Sequence, residues 1–170
     1  YQDGRRWRVG EVISVFPHLI DIYKEKLFEA IADNDVAVLE VGGTVGDFES
    51  EFFLRMVSSL SAELDLFVVQ LSYLALMGSG AGAENDVINQ DVILKPIKQS
   101  FHTACSFCLK PDALLIRSEK AIGSGIKRRI SRATCLSEAH IFFDFDVNSI
   151  YDVPEMLRKQ GLLEMIMTCC

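Results

Sequence analysis

The residues with the clearest potential for chemistry lie in one short segment, VLEVGGTVGDFES, which runs from Val38 to Ser50. An apolar stretch typical of a buried strand ends at Glu40, two glycines follow, and Asp47 and Glu49 stand where a helix is predicted to begin. Ligands of open α/β sheets bind beyond the carboxyl ends of the strands. A carboxylate oxygen at that place suits Mg²⁺ held together with nucleotide phosphates.

Two of these acids, Asp47 and Glu49, also have an ordinary structural interpretation. Carboxylates at the start of a helix cap its backbone and complement its dipole, which is worth roughly 0.3–1 kcal/mol without any ligand. Capping is the simpler explanation for Asp47 and Glu49. For Glu40 the residues alone leave the structural and the ligand-binding interpretations open.

The elements that must position these residues follow an alternating pattern. Short apolar runs alternate with longer segments of helical period, which is typical of a parallel sheet with helices on both faces. The predicted strands are Val12–Phe16, Val36–Glu40, Leu66–Ser72, Ala113–Arg117 and His140–Phe145. The predicted helices are Asp21–Ala32, Ser50–Leu64, Pro96–Leu109, Ala121–Ala133 and Val153 to the end. Met77 to Gln90 is predicted to be a long loop, since its glycines do not have dinucleotide-binding spacing.

Composition narrows the class of protein. The chain has 170 residues, of which 49% are apolar, and this fits one globular domain. A formal charge of -7 argues against non-specific binding to nucleic acid or to an anionic membrane. The uncharged run Leu66 to Ala83 contains polar residues and glycines, so we interpret it as a strand and a loop. Five cysteines without a disulfide pattern favour a reducing, cytoplasmic location.

Several segments together resemble the amidoligase (synthetase) domain of the CTP synthase family. EVGGTVGDFES is similar to the family block E-[IL]-G-G-T-V-G-D-I-E-S, and further similarity lies in VISVFPHLID, KPIKQS, KPDALLIRSEKAI and DVNSIYDVPEMLRKQGL. The likeness runs from about Gly10 to Leu163 with one insertion. It implies a three-layer α/β fold of the P-loop NTPase and amidoligase type, and ATP-dependent amination of UTP to CTP. In that reaction the uracil O4 is phosphorylated, and ammonia from a glutaminase domain displaces the phosphate.

The resemblance also implies roles for individual residues. Glu40 matches a Mg²⁺ ligand, and Asp47, Phe48 and Glu49 match the segment that recognises CTP as a feedback inhibitor. The positions that match UTP and CTP binding are Ile93, Leu94, Lys95, Pro96, Ile97, Lys98 and Arg129, and those that match ATP binding are Arg117, Phe145, Asp146 and Val147. The family further implies ATP and Mg²⁺ as cofactors and a homotetramer in the cytoplasm.

The chain departs from the family at its UTP segment. Where the family has K-T-K-P-T-Q, this chain has ILKPIK, Ile93 to Lys98, which removes one lysine, two hydroxyls and an amide. Isoleucine offers no group that can bind a triphosphate or a base edge, and Lys98 restores charge only as a point charge from another position. Either Glu84 or Asp91 could match the acid that precedes the family's lysine motif.

Parts of the family's enzyme have no counterpart in the sequence. Neither the P-loop with its second Mg²⁺ ligand nor the glutaminase domain is present, so we expect residues 1–170 to be the C-terminal part of an N-terminally truncated amidoligase domain. Alone, it should not make CTP. The alternative function is a non-catalytic CTP-sensing or oligomerisation module that keeps Asp47 and Glu49. A related P-loop amidoligase that shares only the fold is disfavoured by GGTVGDFES.

Overall fold

The structure, a computed structural model, describes residues 18–75 and 87–169, except for the side chains of residue 49 and residues 87–93. The chain divides into two compact units, residues 1–42 and residues 43–170. In the first unit, helix α1 spans Ile20–Ile31 and is followed by a turn and extended chain. The predicted strand Val12–Phe16 lies outside the described residues.

The prediction of a strand at Val36–Glu40 is wrong. This segment has no regular secondary structure, and the side chains of Val36 and Val38 are 72% and 95% exposed. A strand requires a neighbour that satisfies its backbone N–H and C=O groups. The described part of this unit contains one helix and no second strand, so an apolar composition alone does not produce a strand here.

The second unit contains a parallel three-stranded sheet in the order β1-β2-β3. Parallel neighbours cannot be joined by a tight turn, and helices α3 and α4 make the two crossovers. The elements are α2 Phe48–Leu60, β1 Val69–Tyr73, α3 Val87–Ser106, β2 Ala113–Ser118, α4 Ser124–Thr134, β3 Ile141–Phe145, α5 Val153–Lys159 and α6 Leu162–Cys169. In the described residues, none of the helices combines the length and the apolar content that crossing a membrane requires.

Apolar clusters lie on both faces of β2 and β3. Because side chains alternate along a strand, successive residues of β2 and β3 point into two separate clusters. The cluster toward α3 and α4 contains Leu94, Ile97, Phe101, Leu114, Ile116, Ile130, Ile141 and Phe143. The opposite cluster contains Ala113, Phe142 and Leu162, with Leu157 of α5 and Met165 of α6 packed against it. The predicted three-layer α/β architecture is therefore confirmed.

Several predicted helix bounds are wrong, and two of the differences are large. Helix α3 begins at Val87 and continues through Pro96, whereas the predicted helix began at Pro96. Residues 87–90, predicted to be loop, are helical, and residues 76–86 lie outside the described part. The single helix predicted from Val153 to the end is divided into α5 and α6 by Gly161, whose φ of +93° is left-handed and ends α5.

One side chain closes the outer edge of β3. The Gln160 amide accepts a hydrogen bond from the Phe143 N–H at 2.8 Å and donates one to the Phe143 carbonyl at 2.7 Å. These are the two bonds that a further strand would make. Gln160 therefore satisfies backbone groups that an edge strand otherwise leaves unpaired.

Candidate functional site

The glycine loop before α2 is held by its own backbone. Gly43 and Gly46 have φ angles of +92° and +107°, which are left-handed and favour glycine. The Asp47 N–H donates to the Thr44 carbonyl at 3.1 Å, which closes a turn with Gly46 at its third position. The buried Ser50 hydroxyl lies 2.7 Å from the same carbonyl. Gly43, Gly46 and Ser50 therefore have a structural role in this loop that is independent of any ligand.

The start of α2 presents an acid and an aromatic ring to solvent. Asp47 occupies the cap position but makes no side-chain capping hydrogen bond, and it is exposed. The ring of Phe48 is 90% exposed. The capping interpretation of Asp47 is therefore not what the structure shows, and both side chains are accessible to a ligand. The side chain of Glu49 lies outside the described residues.

Glu40 lies on the extended, exposed segment of the first unit. Its carboxylate is a hard oxygen donor of the kind Mg²⁺ prefers. Within the described residues, however, the structure shows no group of three or more His, Cys, Asp or Glu side chains that could hold a metal. The described residues do not by themselves form a magnesium site.

A polar cluster stands at the carboxyl ends of β2 and β3. The Arg117 guanidinium donates to the carbonyls of Ser118 and Asp144 at 2.8 and 3.2 Å, and it pairs with the carboxylates of Asp144, at 3.6 Å, and Asp146. The hydrogen bond to Asp146 is the main reason that the pKa of Arg117 lies above its ordinary value. Arg117 thus ties the two strand ends together.

The neighbours of this cluster include other residues predicted to bind ATP. Phe145 is half-buried and packs against the core cluster toward α3 and α4, whereas Asp146 is exposed and Val147 is half-buried. The Tyr73 hydroxyl lies 3.4 Å from Glu119, at the corresponding ends of β1 and β2. All of these groups lie at the edge of the sheet where α/β proteins bind ligands.

A cleft of about 300 Å³ lies between α3 and α4. Its lining residues are Leu94, Lys98, Arg129, Arg132 and Ala133. Three of these five described residues carry positive charge and none carries negative charge, which favours an anion. Lys98 and Arg129, which were predicted separately, are therefore brought together here.

The remaining residues of the altered UTP segment are divided between the core and the surface. Ile97 is 1% exposed and packs in the core, while Leu94 is buried and also borders the cleft. Lys95 and Pro96 are exposed, and the side chain of Ile93 lies outside the described residues. For Ile97, the structure supports a role in packing, with no surface left for a triphosphate.

Sequence reasoning missed Arg132, which borders the cleft, and Gln160, which bonds β3. Arg132 borders the cleft one helical turn after Arg129, and the three-residue spacing was a signal that could have identified it. Gln160 was missed because nothing in the sequence indicates that its amide bonds a strand 17 residues earlier.

Comparisons with known proteins agree with the sequence resemblance. The family described as CTP synthase N-terminus matches residues 4–170. A CTP synthase from Pyrobaculum calidifontis is 32% identical over 156 residues, which cover 91% of this chain. The chain spans about 28% of the length of that relative.

Proposed function

Because this chain belongs to the CTP synthase N-terminal family, we propose that it is part of a CTP synthase and takes part in the ATP-dependent amination of UTP to CTP. Within that reaction, the part played by the described residues is to bind and position nucleotides. The glutamine-derived ammonia, the glutaminase domain that supplies it, the homotetramer and the cytoplasmic location belong to the same proposal, and the family resemblance supports them. The expectation that the chain alone is catalytically incomplete is also part of this proposal.

The observation that carries the proposal is the cationic cleft between α3 and α4. Lys98 and Arg129 lie 31 positions apart in the sequence and line the same cavity. Phosphoryl transfer depends mainly on positioning and on neutralising the charge of the phosphates. We assign the phosphates of UTP or CTP to this cleft, with Lys95 nearby on the exposed side of α3.

The strand-end cluster is the proposed site for the ATP adenine. Phe145, Asp146 and Val147 supply an apolar side, a carboxylate and backbone groups at the end of β3. Arg117 is paired with two carboxylates, so we assign it to positioning Asp146 rather than to contacting phosphates. The family resemblance further implies Mg²⁺ as a cofactor, with Glu40 as one of its ligands.

Nucleotide-dependent thermal stability tests the proposal. A ligand at a hundred times its Kd raises the free energy of unfolding by about 2.7 kcal/mol. We expect UTP and CTP to stabilise the protein more than GTP does, and Lys98→Leu and Arg129→Leu to reduce this gain. Lys110→Leu, an exposed lysine outside the cleft, is the matched control. Equal stabilisation by all four common nucleotides, or no response of the cleft variants, would contradict the proposal.

A second candidate is a non-catalytic module that senses CTP. Its support is that Leu94 and Ile97 are buried in α3, while Asp47 and Phe48 remain accessible at the start of α2. The same measurement separates the two functions. The sensor predicts stabilisation by CTP without stabilisation by UTP, and loss of the CTP response in Asp47→Asn.

A further inference from the structure

We propose that Arg132 is a third cationic contact for the polyphosphate of the nucleotide, in addition to Lys98 and Arg129. The inference rests on the proposed function for the identity of the nucleotide. Arg132 is not among the positions implied by the family resemblance, and its assignment comes from its place in the α3–α4 cleft.

The packing of α4 determines which of its cations reach the cleft. Ile130 is buried in the core, and this fixes the rotation of the helix about its axis. Arg129 and Arg132 are three positions apart and therefore lie on one side of α4, bordering the cleft together with Ala133. Arg128 is instead directed to Glu138, with 3.7 Å between the guanidinium and the carboxylate.

The charges around the cleft are unusual for this acidic chain. Elsewhere in the described residues, arginines pair with carboxylates: Arg55 with Glu51, Arg117 with Asp144 and Asp146, Arg128 with Glu138, and Arg158 with Glu155. Arg132 instead borders a cavity whose other charged lining residues are also cations. Lys98 and Arg132 carry like charges at one cavity, and a bound polyanion offsets the repulsion between them.

The chemistry of the side chain suits a phosphate. A guanidinium presents paired N–H donors that match two phosphate oxygens, which an ammonium group does not. A nucleoside triphosphate carries about four negative charges, of which Lys98 and Arg129 would balance two. The chain has isoleucine at position 93, where the family has a lysine, and Arg132 supplies a positive charge from the other helix of the cleft.

Calorimetric titration with inorganic tripolyphosphate, and separately with UTP, tests this assignment. We expect Arg132→Leu to weaken the binding of both by about fivefold, the effect of losing one charge-assisted hydrogen bond on an exposed surface. Arg132→Lys should lose less, because it keeps the charge. Arg128→Leu is the matched control on the same helix and should bind like the original protein. Circular dichroism and thermal unfolding verify that each variant is folded.

The outcomes separate the inference from the function on which it rests. Weaker binding in Arg132→Leu but not in Arg128→Leu supports the inference. UTP binding that depends on Arg129 but not on Arg132 overturns it and leaves the proposed function intact. Tripolyphosphate binding that depends on Arg132, with no preference for UTP over GTP, supports the polyphosphate contact and overturns the assignment to a UTP site. An absence of binding by either probe overturns both.

Discussion

The two cationic regions of the second unit differ in what their positive charges contact. At the ends of β2 and β3, Arg117 bonds two backbone carbonyls and two carboxylates of its own chain. In the α3–α4 cleft, Lys98 and Arg132 border a cavity with no acid among its described lining residues. The charge of the first region is paired within the chain, whereas the second region is the one to which we assign the nucleotide phosphates.

This difference shows that a matching residue type does not by itself identify a ligand contact. Arg117 stands in a segment that resembles the family, but its donors are directed to its own chain. Arg132 stands at a position that the resemblance does not mark, yet it borders the cavity. The partners of an arginine therefore have to be considered together with its place in a motif.

The largest expected effect comes from removing the side chain that bonds the edge of β3. This strand contributes Asp144 to the Arg117 cluster. Gln160→Leu removes the partners of the Phe143 N–H and carbonyl, and should lower the free energy of unfolding by about 2–3 kcal/mol. Chemical denaturation measures the change. Gln99→Leu, an exposed glutamine of α3, is the control and should have little effect. If both variants are equally stable, the edge of β3 is not held by Gln160.

A smaller loss of stability is expected when Arg117 itself is removed. Arg117→Leu leaves the partly buried Asp144 without its cation, so the melting temperature should fall. Lys98→Leu should leave the melting temperature unchanged in the absence of ligand, because Lys98 is exposed beside the cleft. The comparison between the two regions fails if Lys98→Leu lowers the melting temperature as much as Arg117→Leu does.

For ligand affinity we expect the opposite order, with a larger effect of Lys98→Leu than of Arg117→Leu. Lys98→Leu should weaken tripolyphosphate binding about threefold, as expected for one exposed charge pair, and Arg117→Leu should not change it. Raising the ionic strength should weaken binding to the unaltered protein, because the screening length is only about 10 Å at 0.1 M salt. Binding that is independent of salt would show that the cleft does not act through its charge.

The smallest effect is expected at Arg128, which belongs to neither region. Its pair with Glu138 is long and exposed, so Arg128→Leu should change the free energy of unfolding by less than about 0.5 kcal/mol. Parallel denaturation curves of this variant and Arg117→Leu give the direct contrast. A loss at Arg128 equal to that at Arg117 would mean that burial does not distinguish the two arginines.

Most of the sheet could be predicted from the sequence. The wrong predictions, a strand at Val36–Glu40 and the start of α3, have related causes. The runs that became β1, β2 and β3 are apolar and find parallel partners, while Val36–Glu40 is equally apolar and is not a strand. Pairing involves residues far apart in the sequence, and a local pattern cannot report it. The start of α3 was missed for a related reason, since the tertiary contacts of a long helix override the local preference of Pro96.

The candidate site was predicted in part. The resemblance singled out Lys98 and Arg129, which the structure brings to one cleft, but it gave no indication of Arg132 or of the buried position of Ile97. Those features depend on the rotation of α3 and α4 about their axes. That rotation is fixed by which side chains enter the core.

The sequence alone determined the α/β class, the family, and the glycines that the Gly43–Ser50 turn requires, since these depend on residue type and local spacing. Only the tertiary structure decided that Arg117 is bound by its own chain, that Gln160 closes the sheet, and that three cations share a cleft. The physical reason is that hydrogen bonds and charge interactions act over a few ångströms in space, and folding alone brings distant residues within that range.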